Sequence, residues 1–285
     1  MNLKNMSTEL FSKKVESIID NLKAICTSYG LGSDGSEYKV VTQIFLYKFI
    51  SDKFGFEIKK KNEKLKNSKN WEDYFSNLKE EQIEMLNLQL APNIAKLNPN
   101  HLISYLFKNQ NKDNFSKLFD NTLREISIKN NDIFSVKTDG GTKILLFENL
   151  SELITDTSKR DDFCRALINQ LVDFNFEKLF DEKYDFFSNI FEYLIKDYNK
   201  DSGGKYAEYY TPHSVARIIS KILIPNNKKG EIKNVSCHDP SAGSGTLLMS
   251  LAHQIGEDSC SIFSQDISQK SSNLLRLNLI LNQLV

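Results

Sequence analysis

The sequence predicts an α-helical N-terminal domain over residues 1–175 and, over residues 176–285, the start of an α/β doubly wound sheet, truncated after its second β-α unit. Three observations predict this. Before residue 230, apolar residues recur at helical spacing with almost no strand signal. At Asp201-Ser202-Gly203-Gly204 a flexible joint precedes a change of composition. Beyond it the order runs strand, glycine loop, helix, strand, helix, which opens a parallel α/β sheet.

Leu10, Val15, Ile18, Ile19, Leu22 and Ile25 give the first helix its face, and Gly30, Gly32 and Gly35 interrupt the chain. Residues 38–56 form a second amphipathic helix rich in aromatics. Residues 59–69 are dense in lysine with one acid, Glu63. The plain reading is a solvated helix or loop, and the sharper one is a phosphate-contacting arm. Helical patterns continue over 82–90, 102–108, 115–124 and 163–180, with a turn at Gly140-Gly141. Tyr184, Phe187, Phe191, Leu194, Ile195 and Tyr198 then form one apolar stripe, read as a core helix. Thr211 is the expected N-cap of the next helix, with Pro212 at its first position. Val215, Ile218, Ile219, Ile222 and Leu223 are its expected buried face, and Pro225 ends it. Residues 233–239 and 261–265 read as strands, and 246–254 and 269–284 as helices.

Composition narrows the function. Lys plus Arg and Asp plus Glu both number 37, and the 85 residues from Asp201 hold eight bases and seven acids. Neither part is a bulk polycation, so a grip on nucleic acid must be local or come from a partner. Cys26, Cys164, Cys237 and Cys260 form no CxxC pair, so no zinc site is expected, and free thiols fit a reducing cytoplasm. The first 14 residues lack the apolar core of a signal peptide, and no apolar run is long enough to span a membrane.

The chemistry concentrates in Asp239-Pro-Ser-Ala-Gly-Ser-Gly-Thr246, where a strand meets a helix at the carboxyl edge of the sheet, the usual ligand position in open α/β folds. Gly243 and Gly245 let a ligand approach the backbone, and the helix start offers free N–H groups. Asp239 can accept hydrogen bonds from a ligand amine or hydroxyl. A P-loop is excluded because no GxxxxGK[ST] is present, and GxGxxG fails at Leu248. Asp266, 27 residues past Asp239, ends the second strand and can accept hydrogen bonds from both ribose hydroxyls of an adenosine ligand. Tyr206-Ala-Glu-Tyr-Tyr-Thr-Pro-His213 sets aromatics beside a helix start, where they either pack or wall a pocket.

Together these elements resemble one family. The 239–245 string is similar to the "DPxxGSG" cofactor loop of amino-directed DNA methyltransferases. Glu208-Tyr-Tyr-Thr-Pro212 resembles the "EFYTP" segment of type I restriction–modification methyltransferase subunits, and Phe191-Glu-Tyr-Leu-Ile195 is similar to them as well. The resemblance is specific over roughly residues 185–285 and general before that. It implies a Rossmann-like, S-adenosylmethionine-dependent domain that methylates adenine N6 in DNA, with double-stranded DNA, a specificity subunit and a restriction subunit as partners. It further implies that Glu208, Tyr209, Tyr210, Thr211, Pro212 and His213 cover the methionine side of the cofactor. Asp239, Ser241, Gly243, Ser244, Gly245 and Thr246 would meet it through the loop and helix start. Asp266 would hold the ribose, and Ile267 would pack on the adenine. Two positions depart from the family pattern: His213 stands where Arg is frequent, and the strand Asn234-Val-Ser-Cys-His238 is more polar than usual.

Amino methylation in this family also needs [DNS]-P-P-[FYW], whose first side chain binds the target amine while its aromatic stacks on the flipped base. The sequence holds no Pro-Pro pair; Asn98-Pro99-Asn100 is the nearest string. No catalytic residue is therefore assigned, and the chain alone is expected not to methylate. Two other readings stand beside this one. A helical adaptor or remnant would bind the specificity subunit without cofactor, and a nucleotide-dependent oxidoreductase on a similar fold would bind NADH.

Overall fold

Residues 38–54 are apolar or aromatic around most of their helical circumference, which requires a helix surrounded by protein. A computed structural model, which describes residues 3–32, 35–137, 140–180, 189–195, 211–228, 230–282 and 284, places it so. Helix α1 (Leu3–Ser28) lays Val15, Ile19, Leu22 and Cys26 inward, and α2 (Gly35–Lys61) is buried along most of its length. Against α2 pack α1, α3 (Glu63–Asn67), α4 (Trp71–Ser76) and α5 (Glu80–Leu88); α6 (Ile103–Asn109), α7 (Phe115–Lys129), α8 (Asn131–Phe134) and α9 (Arg160–Val172) follow, with α9 packed on α1, α6 and α7. One departure from the all-helical expectation is a two-residue antiparallel pair, β1 (Val136–Lys137) with β2 (Lys143–Ile144).

The chain divides into two compact units, Met1–Glu182 and Lys183–Val285. Residues just past 175 belong physically with the first unit. The Phe176 ring meets Phe45 at 5.4 Å and Phe49 at 5.9 Å, and Phe180 meets Phe49 at 5.5 Å.

Two buried titratable groups inside the first unit are paired. Lys48 and Asp52, both almost fully buried, lie 3.0 Å apart, and Asp52 also accepts the Phe176 N–H at 2.8 Å. Burial raises the Asp52 carboxyl to about 6, against the opposing pull of Lys48 and that N–H. His101 is 2% exposed. Its Nδ1 accepts the Asn98 N–H at 3.2 Å, which leaves Nε2 to carry the proton toward Glu125 at 3.3 Å. Burial first, and Lys129 less, depress this imidazole to about 4, while Glu125 pulls upward.

These two groups titrate in opposite senses. Below pH 6.5 the unfolded chain takes up a proton on His101 that the folded chain refuses until about pH 4, so stability falls across that window. Asp52 binds its proton more tightly when folded, so its contribution is complete below about 4 and is lost as pH rises through about 6. The two partly cancel in the native chain. Replacing His101 with Gln should therefore leave a protein that loses less stability, by about 1–3 kcal/mol, between pH 6.5 and 4 in thermal melts. An unchanged pH profile would rule out the buried neutral imidazole.

In the second unit residues 189–195 form α10, followed by α11 (His213–Leu223), β3 (Val235–Asp239), α12 (Thr246–Ile255), β4 (Cys260–Ser264) and α13 (Gln269–Leu281). Strands β3 and β4 are parallel, with Val235 opposite Cys260 and Asp239 opposite Ser264. Cys237, Ala242, Leu248, Met249, Ile255 and Leu275 form the core on one face. On the other face Ser236, His238, Ser261 and Phe263 are exposed. The strands and helices predicted after residue 230 thus recur with no end moved by more than three residues.

Two expectations for α11 are corrected. Thr211 does not cap it: Pro212 holds the cap position and the helix begins at His213, whose N–H donates to Glu192 Oε1 at 3.1 Å. A carboxylate from α10 thus supplies the acceptor expected from Thr211. Most of the expected buried face points outward: Val215, Ile218, Ile222 and Leu223 are 44–73% exposed, Ile219 is half-buried, and Ala216 and Ser220 are buried instead. Small side chains at i and i+4 let helices approach closely, and α11 packs against α12.

Candidate functional site

Strand β3 delivers Asp239 to the carboxyl edge of the sheet, beside the end of β4. There the backbone continues the ladder: Gln265 N–H donates to Asp239 O and Ala242 N–H to Gln265 O, both at 3.0 Å. The intervening loop is shaped locally. Asp239 Oδ1 accepts the Ser241 N–H at 2.9 Å, closing the turn over Pro240. Gly243 and Gly245 take φ of +55° and +76°, conformations that favour glycine. Gly245 caps α12.

Asp266 fastens this loop. Its Oδ2 accepts the Gly243 N–H at 2.9 Å and its Oδ1 the Ser268 N–H at 2.8 Å. The Ser268 side chain in turn caps α13 through the Ser271 N–H. One carboxylate thus joins the glycine loop to the start of α13. A carboxylate has about four acceptor positions, so two hydrogen bonds leave room for two donors from a ligand. Ile267 is fully exposed directly beside it.

The expected residues divide into three sets. Asp239, Ser241, Gly243, Asp266 and Ile267 gather at the strand ends, each at least partly open to solvent. Ser244, Gly245 and Thr246 lie in the same loop but face inward. The Ser244 and Thr246 hydroxyls meet each other at 3.0 Å, so these positions offer a ligand their backbone rather than their side chains. Thr211, Pro212 and His213 stand at the start of α11, where the His213 backbone is held by Glu192. Glu208, Tyr209 and Tyr210 fall outside the described residues.

Three residues that the sequence reading passed over complete the arrangement. Asn278, 2% exposed, donates from Nδ2 to Ser244 O at 2.9 Å. Leu275 lies under Gly245, where a Cβ would fall 2.0 Å from its Cδ1. Ser268 anchors Asp266 from the α13 side. A lone amide inside Leu274–Leu281 was the available signal for Asn278: a polar residue in an apolar helix needs a partner.

A parallel strand–helix–strand unit, a loop rich in positive φ and an acid at the second strand end are what an adenosine-containing ligand needs. Residues 182–284 match the family model described as N-6 DNA Methylase. This segment is similar to the N-6 DNA methylases. Its boundary falls where the second compact unit begins, so the matched segment and that unit are nearly the same stretch of chain.

Two further likenesses agree. The chain is 29% identical over 150 residues to the type I restriction enzyme MpnII methylase subunit of Mycoplasma pneumoniae. That match takes in 51% of this chain and 24% of the relative, so the chain spans about a quarter of the curated relative's length. In structure it is similar to the crystal structure of the type I restriction–modification system methyltransferase subunit from Streptococcus thermophilus. The TM-score is 0.70 at 19% identity, over 96% of this chain and 56% of that one. At that identity the likeness establishes the fold, and it includes the helical first unit as well as the second unit.

Proposed function

We propose that the methylase segment binds S-adenosylmethionine on its glycine loop, within a modification subunit of a type I restriction–modification system that methylates adenine N6 in DNA. The observation that carries this is the loop of residues 239–246, held open by Asp266 at the ends of two parallel strands. In this reading the second unit is part of a doubly wound, Rossmann-like methyltransferase domain beginning near residue 176.

The residues present fit the cofactor. Asp266 retains acceptor capacity for two ribose hydroxyls, and Ile267 offers an apolar surface to an adenine ring. Gly243 brings backbone close to a ligand, and the N-terminal turn of α12 supplies N–H donors. Asp239 and Ser241 line the same mouth, Ser244, Gly245 and Thr246 contribute backbone, and residues 208–213 would close the methionine side. When bound, the cofactor supplies a methyl group already activated on a sulfonium. The protein's contribution is to orient it and exclude water. The partners in this reading are double-stranded DNA, which the specificity subunit would select by sequence, and a restriction subunit; the compartment is the cytoplasm. No helix among the described residues is long and apolar enough to cross a membrane.

Calorimetric titration of the 285-residue chain with S-adenosylmethionine tests the site. Binding should weaken at least tenfold in Asp266→Ala, which loses both ribose acceptance and the tie to Gly243. Asp266→Asn should fall between, since its amide nitrogen cannot accept an N–H. Equal affinity in all three proteins would refute the ribose assignment. Binding of NADH in place of S-adenosylmethionine would move the chain to another enzyme class.

A further inference from the structure

The lysine-rich stretch that follows α2 is part of the folded first unit. Asn62 caps α3, its Oδ1 accepting the Lys64 and Leu65 N–H groups at 2.9 and 3.2 Å. Leu65 is fully buried and pins α3 to the core. Asn70 caps α4, and Trp71 packs so tightly on α2 that a Cβ at Gly55 would lie 2.6 Å from its ring. The corner from Lys61 to Trp71 is therefore a fixed scaffold.

Two of its lysines are engaged within the fold. Lys59 pairs with Glu177, and Lys60 pairs with Glu57 while its Nζ sits 3.8 Å from the centre of the Phe56 ring. Lys61, Lys64, Lys66 and Lys69 are exposed, and among the described residues none of them is in an ion pair. The acids nearest in sequence are Glu63, Glu72 and Asp73, and Asp73 is engaged by Lys108. In a chain with zero formal net charge, four ammonium groups against one acid, Glu63, within nine residues are a local concentration of positive charge.

We infer that this corner is a sequence-independent contact to the phosphate backbone of duplex DNA, with Lys61, Lys64, Lys66 and Lys69 as its contacting groups. The inference rests on the DNA-methylase reading for its choice of polyanion. The surface chemistry agrees with that choice. Lysine is a mobile point charge that suits phosphate oxygens without reading bases. Leu65 faces inward and Trp71 is packed on Gly55, so the corner lacks the exposed apolar anchor that a membrane-surface site uses. Holding Lys64 and Lys66 on capped α3, with Lys61 at the end of α2 and Lys69 in the short link to α4, also spares the ordering entropy that a disordered basic arm loses on binding.

The test compares three forms of the full chain on a fluorescent 30-base-pair duplex across a salt series. They are the native chain, Lys61→Gln/Lys64→Gln/Lys66→Gln/Lys69→Gln, and a control with equal charge loss elsewhere on the first unit, Lys14→Gln/Lys112→Gln/Lys117→Gln/Lys137→Gln. Each phosphate contact contributes about 0.9 to the slope of log K against log salt. The corner variant should have a slope shallower by about 3 to 4 and bind more weakly to every duplex sequence, while the control keeps most of the native slope. Equal slopes in the corner variant and the native chain would overturn the inference, as would equal losses in both variants, no duplex binding by the native chain, or binding to anionic phosphatidylserine vesicles in place of DNA. S-adenosylmethionine titration of the same samples separates the two claims. Lysine-dependent DNA binding without cofactor binding would fault the cofactor site alone. Intact cofactor binding with lysine-independent DNA binding would fault the corner alone.

Discussion

Gly245→Ala will unfold or nearly unfold the loop that carries the candidate site. Alanine at φ +76° is strained by about 1–3 kcal/mol. Its methyl would also fall 2.0 Å from Leu275 Cδ1, and Leu275 is held in the second unit's core beside Met249 and Leu248. Forcing that side chain aside adds an overpacking cost of about 1–3 kcal/mol. The combined loss is large against the stability of a 103-residue unit. Thermal unfolding followed by circular dichroism should show it, and affinity for S-adenosylmethionine should fall below detection. Adding Leu275→Ala should recover the steric part and leave the backbone part, giving a coupling of about 1–3 kcal/mol in a double-mutant cycle. A Gly245→Ala chain as stable as the native one would mean that the loop does not have this geometry.

The second large effect belongs to the first unit. Asp52→Ala should destabilise it by about 3–5 kcal/mol, because it leaves the Lys48 ammonium buried without its partner and the Phe176 N–H without an acceptor. Asp52→Asn keeps an acceptor for that N–H, and the native carboxyl is itself raised to about 6, so near pH 5 the amide resembles the protonated native group. Its loss should accordingly be smaller than alanine's and should grow as pH falls from 7 to 5, because the native chain gains stability on protonating Asp52 and the amide cannot. Chemical denaturation at the two pH values measures both. A loss in Asp52→Ala below about 1 kcal/mol would show that the pair is exposed to water.

What the sequence made legible was local. The glycine loop could be read because Asp239, Gly243 and Gly245 serve turn geometry within eight residues, and strand and helix signals flank them directly. Asp266 was legible through its separation from that loop, but only as a group awaiting ligand. Its two backbone partners, Gly243 and Ser268, became visible only in three dimensions. Helix α11 shows the opposite limit. Its spacing correctly gave an apolar stripe, yet periodicity cannot tell which side meets a neighbour. Ala216 and Ser220 took the interior because α12 approaches closely there. Leu275 and Asn278 escaped notice because their importance comes from lying under Gly245 and Ser244, some thirty residues earlier in the chain.

Trp71, wedged against Gly55 beside the lysine corner, is the only tryptophan in the chain. Indole emission excited at the red edge of absorption is therefore a private signal of the first unit: it reports the helical half and is silent about the half that carries the glycine loop. Far-ultraviolet dichroism sees both. Wherever the two optical traces part company during heating or denaturant addition, the difference between them is the unfolding curve of the second unit, obtained without any label.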